Sequence, residues 1–177
     1  MKKTITKRAF VLALIGIFMS PMIRAQNGTP ASPPATATGK VNEATITINY
    51  NSPGVKGRKI WGGLVPYDQV WRAGANKATV FETDKDIKVE GKALAAGKYS
   101  LYAIPGEKEW TIIFNSATGQ WGINRDGTTT EDPAKDVLRV TVKPEKSESL
   151  TERLTYTVDS KGFALVWENL KVPVSIK

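Results

Sequence analysis

The chain has 177 residues, with 25 Lys and Arg against 17 Asp and Glu, a formal charge of +8, and neither cysteine nor histidine. The missing residue types exclude a Ser-His-Asp triad, a Cys-His pair, disulfides, and zinc held by His or Cys. Any acid or base must be a carboxylate, Lys or Tyr, any bound metal a hard cation held by oxygens, and no cofactor is expected.

Residues 1–25 read as a secretory signal peptide. Lys2, Lys3, Lys7 and Arg8 make a basic start, Ala9 to Met19 a short apolar run, and Ile23-Arg24-Ala25 a cleavage site before Gln26. The run is short for a bilayer span, so the expected product is periplasmic or secreted, with no membrane span after processing. Five of the 25 basic residues and none of the acidic ones lie in this leader, so 20 remain against 17, a net +3. That small, dispersed charge, with no basic stripe interleaved with aromatics, argues against nucleic-acid binding.

Residues 26–40 (QNGTPASPPATATGK) hold almost no large apolar side chain. They read as a flexible linker. The folded domain is then expected over residues 41–177. Thr45 to Tyr50 alternates polar and apolar residues at period two, which predicts a strand with Ile46, Ile48 and Tyr50 inward. Arg58 to Trp61 predicts a short strand, and Tyr67 to Val70 a helical turn. Lys77 to Thr83 predicts another strand. Ile87 to Glu90 and Lys98 to Ile104, flanking Gly91 and Gly97, predict a hairpin-like pair. Glu109 to Asn115 places Trp110, Ile112 and Phe114 on one face. Val137 to Lys143 sends Leu138, Val140 and Val142 inward, and Arg153 to Asp159 does so through Leu154, Tyr156 and Val158. Phe163 to Leu170 and Val172 to Ile176 close the chain, with Pro173 marking an edge. About nine short strands separated by turn residues define an all-β fold, an antiparallel β-sandwich or jelly-roll-like single domain.

The candidate site is the patternless connection Gly62 to Thr79 (GGLVPYDQVWRAGANKAT). Long connections on a β scaffold commonly carry function. Arg72 offers a planar fork for an anionic or hydroxyl-rich group, Asn76 a donor and an acceptor, and Trp61, Tyr67 and Trp71 aromatic surface. The competing reading keeps Arg72 as the buried ion-pair partner of Glu82 or Glu168 and Trp71 as a core plug. Trp110 and Trp167 read as core, whereas Trp61, Trp71 and Trp121 stand beside glycines or in loops.

The run Gly57 to Tyr67 (GRKIWGGLVPY), followed by Val70-Trp71-Arg72-Ala73-Gly74-Ala75-Asn76, resembles an exported bacterial family of unknown function common in the Bacteroidetes. The likeness continues through Leu94 to Tyr99, Ile104-Pro105-Gly106, Gln120-Trp121-Gly122, Asp136 to Val140 and Trp167-Glu168-Asn169. It implies export and a single domain over nearly the whole mature chain, and it implies no activity. The sequence departs from the family where Ile123-Asn124-Arg125-Asp126-Gly127 replaces aromatic residues, so an aromatic surface is not expected there.

Asn124-Arg125-Asp126-Gly127 with Glu131-Asp132 is rich in oxygen ligands but lacks the ligand spacing of an EF-hand. It reads as an Asp-Gly turn, and no metal site is assigned. A carboxylate-dependent hydrolase acting on carbohydrate or envelope polymer is the alternative function. Its candidates are Asp68, Glu82, Glu109 and Glu168, with no pair singled out. The first reading is a non-catalytic module that binds a small or glycan-like ligand, or an envelope protein.

Overall fold

The computed structural model describes residues 30–177. The predicted leader, residues 1–25, and the first four residues of the predicted linker lie outside the described residues. Two antiparallel layers enclose one core, as the period-two patterns indicate.

The larger sheet has six strands: β1 (Pro34–Val41), β2 (Ala44–Asn51), β3 (Thr79–Thr83), β6 (Gly97–Ile104), β7 (Trp110–Asn115) and β8 (Asp136–Val142). Their order follows the chain except for an excursion through β4 (Ile87–Val89) and β5 (Lys92–Leu94). The second layer is built on the long hairpin of β9 (Glu145–Asp159) and β10 (Gly162–Ser175). Residues 53–55 pair with β9 through Val55 N to Glu152 O (2.7 Å) and Leu154 N to Pro53 O (2.9 Å). Just past β10 the chain joins β4 through mutual Lys88 and Lys177 backbone bonds of 2.8 and 2.9 Å.

Burial explains the pairing. Ile46, Ile48, Phe81, Leu101 and Phe114 of the larger sheet meet Leu154, Tyr156, Phe163, Leu165, Val172 and Val174 of the second layer. Phe81 and Phe163 lie 5.6 Å apart across the gap, and Tyr50 and Tyr156 meet edge-on at 4.9 Å. Such pairs add to the burial of apolar area that drives the collapse.

Five expectations are corrected. Residues 34–40 are not a linker: they form most of β1, paired with β2 along its whole length. Small residues hide this strand from composition, but they let it approach closely. A Cβ on Gly39 would stand 3.0 Å from Val158 of β9, and Thr36 and Thr38 bond across the ladder to Asn49 and Thr47. The partner of Ile87–Val89 is Lys92–Leu94, not the strand from Lys98. Glu90 and Gly91 both have positive φ, 47° and 81°, which suits a two-residue hairpin turn. Residues 58–61 form no strand and residues 67–70 no helical turn; the 3-10 turn lies at Pro133–Lys135, capped by Asp132. Finally, the last two predicted strands are one, β10, bent by irregularities around Glu168 (φ 55°).

Phe81, fully buried between the layers, reports on this architecture. Phe81→Ala should lower the unfolding free energy by about 3–5 kcal/mol in urea denaturation. A loss below about 1 kcal/mol would show that the two layers do not close on this residue.

Candidate functional site

The segment from Ile60 to Thr79 is tightly wound rather than loose. Gly62 N donates to Val65 O at 2.9 Å and Val65 N to Ile60 O at 2.9 Å. Gly62 has φ +69°, and a Cβ there would stand 2.8 Å from the Tyr67 ring. Tyr67 thus closes over the turn. Trp71 then pairs with Ala103 of β6, exchanging backbone bonds of 2.8 and 2.9 Å. Ala73 is left-handed (φ 51°), and its carbonyl accepts from Thr79 Oγ1 (2.9 Å) and Tyr156 OH (2.8 Å). Burial drives the Tyr156 hydroxyl well above the ordinary tyrosine range, so it stays a donor.

Beside this segment lies a cleft of about 470 Å³. It is lined by residues 64–66 and 69–72, residues 74–76, Ser32, Pro53, Arg58 and Trp167, and by Gly122, Ile123, Gly127 and Thr129 of the connection from β7 to β8. Its volume falls in the range of small-molecule sites. Of the five predicted site residues, Trp71, Arg72 and Asn76 line the cleft; Trp61 and Tyr67 do not. Trp61 is 5% exposed and sits in a cluster with Trp71, Trp110 and Trp167, with ring centroids 4.9–5.9 Å from it. A place beside Gly62 suggests surface; the tight turn instead folds the indole inward. Trp110 and Trp167 are core, and Trp121 is 55% exposed, as expected.

The ion-pair reading of Arg72 finds no partner. Glu82 pairs with Lys98 at 3.1 Å, and neither Arg72 nor Glu168 is in any ion pair among the described residues. Burial alone pushes the Arg72 guanidinium below its ordinary value, though an arginine remains charged. Its Nε is buried without a hydrogen-bond partner among the described residues. Gly122 packs directly on it: a Cβ there would lie 2.8 Å from Arg72 Cδ and 2.9 Å from Ala78 N. Asn76, in the left-handed region at φ 57°, reaches Ser32 O at 3.4 Å, where Asn51 Nδ2 also donates at 3.1 Å.

Sequence reasoning missed Arg58, the second guanidinium of the cleft. Its Nε donates to Val55 O (3.1 Å) and its Nη2 to Gly54 O. The Gly57-Arg58 start of the family-like run was the available signal. The expected carboxylates do not meet there. None of Asp68, Glu82, Glu109 and Glu168 lines this cleft; Glu109 borders a separate one of about 550 Å³ with Glu90, Glu145 and Asp159. Asp126 accepts from Thr128 N (3.0 Å) and Oγ1 (2.7 Å), an ordinary turn, and these bonds hold its carboxyl below the usual range. Among the described residues no acidic group of three or more is placed to hold a metal.

The connection that carries Gly122 is itself anchored. Gln120 Nε2 donates to Tyr102 OH (2.8 Å) and Ser100 Oγ (3.1 Å), and Gln120 O accepts from Ala78 N (3.2 Å). At its far end Arg139 binds Glu131 (2.9 Å) and Asp136 (2.7 Å), and Asn115 donates to Asp136 (2.7 Å). Burial and then the neighbouring Asp136 push Glu131 above the usual carboxylate range, against the opposing pull of Arg139.

Fold and site together define an all-β sandwich with a cleft lined by two arginines and no carboxylate. The chain belongs to the family described as protein of unknown function (DUF2911), whose model matches residues 32–176. That match starts inside the segment expected to be a linker, where Ser32 joins the cleft. No curated protein and no solved structure matches the chain.

Two measurements test this geometry. Gly122→Ala places a Cβ against Arg72 in a left-handed backbone (φ +87°), so it should cost about 1–3 kcal/mol in thermal or urea unfolding. An unchanged stability would mean that Gly122 does not pack on Arg72. Glu131 binds its proton more tightly in the folded chain, so its contribution to stability is present below the ordinary Glu value and is lost as pH rises through the raised one. The melting temperature of Glu131→Gln relative to wild type should therefore climb as pH rises above about 4. A difference that stays flat with pH would remove Glu131 from the account.

Proposed function

We propose that this chain is an exported, non-catalytic binding module that works in the periplasm or outside the cell. It takes a small or glycan-like ligand in the cleft beside Trp71, Arg72 and Asn76. The basic, apolar and small-residue succession of residues 1–25 supports export. One observation carries the site: a half-buried guanidinium without an acidic partner faces a cleft of ligand size. A charge held that way is costly unless an anionic or hydroxyl-rich group satisfies it. Trp71 supplies an apolar wall, while Asn76 and Gln69 supply uncharged polar groups at the margin.

Absence of an ion pair also makes Arg72 testable. Arg72→Ala removes no salt bridge, so its melting temperature should stay within a few degrees of wild type. In a screen of purified protein against neutral and acidic glycans and small metabolites, the variant should lose every ligand that wild type binds. A large stability loss with unchanged binding would return Arg72 to an architectural role and end this reading.

A further inference from the structure

We propose that the ligand is an acidic saccharide whose oxyanion is taken jointly by Arg58 and Arg72, an inference that rests on the cleft being a binding site. Arg58 and Arg72 are the charged side chains that line the cleft, and neither forms an ion pair among the described residues. Two like charges bordering one partly buried space repel each other, and an anion between them turns that cost into attraction.

Donor chemistry points the same way. Arg72 lines this cleft with no ion pair among the described residues, and a guanidinium only donates, so the partner that its N–H groups outside the buried Nε can take is an acceptor. An oxyanion supplies several acceptor sites and no competing donor. Arg58 is held ready to donate as well. Val55 O and Gly54 O hold its Nε and Nη2, which fixes the plane of the guanidinium and leaves Nη1 without an assigned bond. A pre-positioned fork loses little side-chain freedom on binding.

Shape points to a ring rather than a bare ion. A bare inorganic anion leaves most of a 470 Å³ cleft unfilled. The remaining wall is mixed: Trp71, Pro66 and Ile123 are apolar, and Gln69, Asn76 and Thr129 are uncharged and polar. A sugar ring matches both, with C–H faces for the apolar groups and hydroxyls for the polar ones. The shared chemistry is a ring-borne oxyanion, which a uronate carboxylate or a sulfate ester can provide.

Titration calorimetry of the purified protein decides the matter. The probes are a trigalacturonate, its methyl ester, a sulfated galactose trisaccharide, the neutral galactose trisaccharide, and inorganic phosphate. At least one acidic trisaccharide should bind ten times more tightly than its uncharged counterpart, and its affinity should fall as sodium chloride is raised. Arg58→Lys and Arg72→Lys keep the charge but lose the fork, and each should weaken that binding at least tenfold with little change in melting temperature. Arg72→Lys guards against a folding defect in Arg58→Lys from loss of the Gly54 and Val55 bonds. Equal binding of acidic and uncharged forms would overturn the oxyanion while leaving the binding module intact, as would acidic binding unaffected by both lysine variants. Phosphate binding as tight as any trisaccharide would overturn the sugar. If the acidic trisaccharides fail while the broad screen still yields an Arg72-dependent neutral ligand, only this inference falls; if that screen yields nothing, the site itself falls.

Discussion

The carbonyl oxygen of Ala73 ties the cleft to both layers of the sandwich. It accepts one hydroxyl from Thr79 of β3, in the larger sheet, and one from Tyr156 of β9, in the other layer. Ala73 holds a left-handed backbone, and a strained residue of this kind costs on the order of 1–3 kcal/mol. Two buried hydrogen bonds at about 0.5–1.5 kcal/mol each are of the size needed to offset it. The geometry is therefore sustained by the packed layers rather than by the segment itself. Gly74 follows because a Cβ there would stand 2.7 Å from Thr79 Oγ1, against the very hydroxyl that holds Ala73. Arg72 precedes that fixed carbonyl and Trp71 is paired to Ala103, so the guanidinium leaves a backbone held on both sides.

From this anchor the electrostatics of the cleft follow. Arg72 is covered by Gly122 from the connection between β7 and β8, and cover without a countercharge lowers its affinity for its proton. The acidic side chains of that connection are used elsewhere. Glu131 joins Asp136 of β8 on Arg139, Asp132 caps the 3-10 turn, and Asp126 turns back on Thr128. None of them lines the cleft, which keeps a net positive lining.

How much of this was legible depends on which physical signal each part uses. β2 and β8 announce themselves because one face is buried and the other is wetter, and period two records the difference, whereas β7 is covered on both faces, with Ile113 packed opposite the main core. β1 does not, because Ala, Thr and Gly signal close approach only when the opposing Val158 is known. The β4–β5 hairpin was hidden by its length: three residues a side give alternation too little room, and only the Glu90-Gly91 turn betrays it. Trp71, Arg72 and Asn76 drew notice because their connection lacks periodicity, and the fold brings the three to one cleft. Trp61 was misread because a glycine neighbour signals a turn but not the direction in which the side chain leaves it. Arg58 showed only as the start of the family-like run, because its place at the cleft depends on the contact of residues 53–55 with Glu152 and Leu154, about a hundred positions away in the chain.

The tryptophan cluster shows why the same few residues serve fold and cleft together. Trp61, Trp110 and Trp167 are buried with indole N–H groups that find no hydrogen-bond partner among the described residues. An unpartnered buried donor is ordinarily a cost of about 1–3 kcal/mol. Edge-to-face contacts between Trp61 and Trp110 at 4.9 Å, and between Trp61 and Trp167 at 5.7 Å, add packing energy that offsets part of it. Trp167 differs from the other two because it also borders the cleft, and so does Trp71, stacked on it at 6.1 Å. The core therefore reaches the surface as a continuous indole layer that ends beside Arg72. The packing that closes the sandwich thus also sets apolar indole surface next to the Arg72 cation at the wall of the cleft.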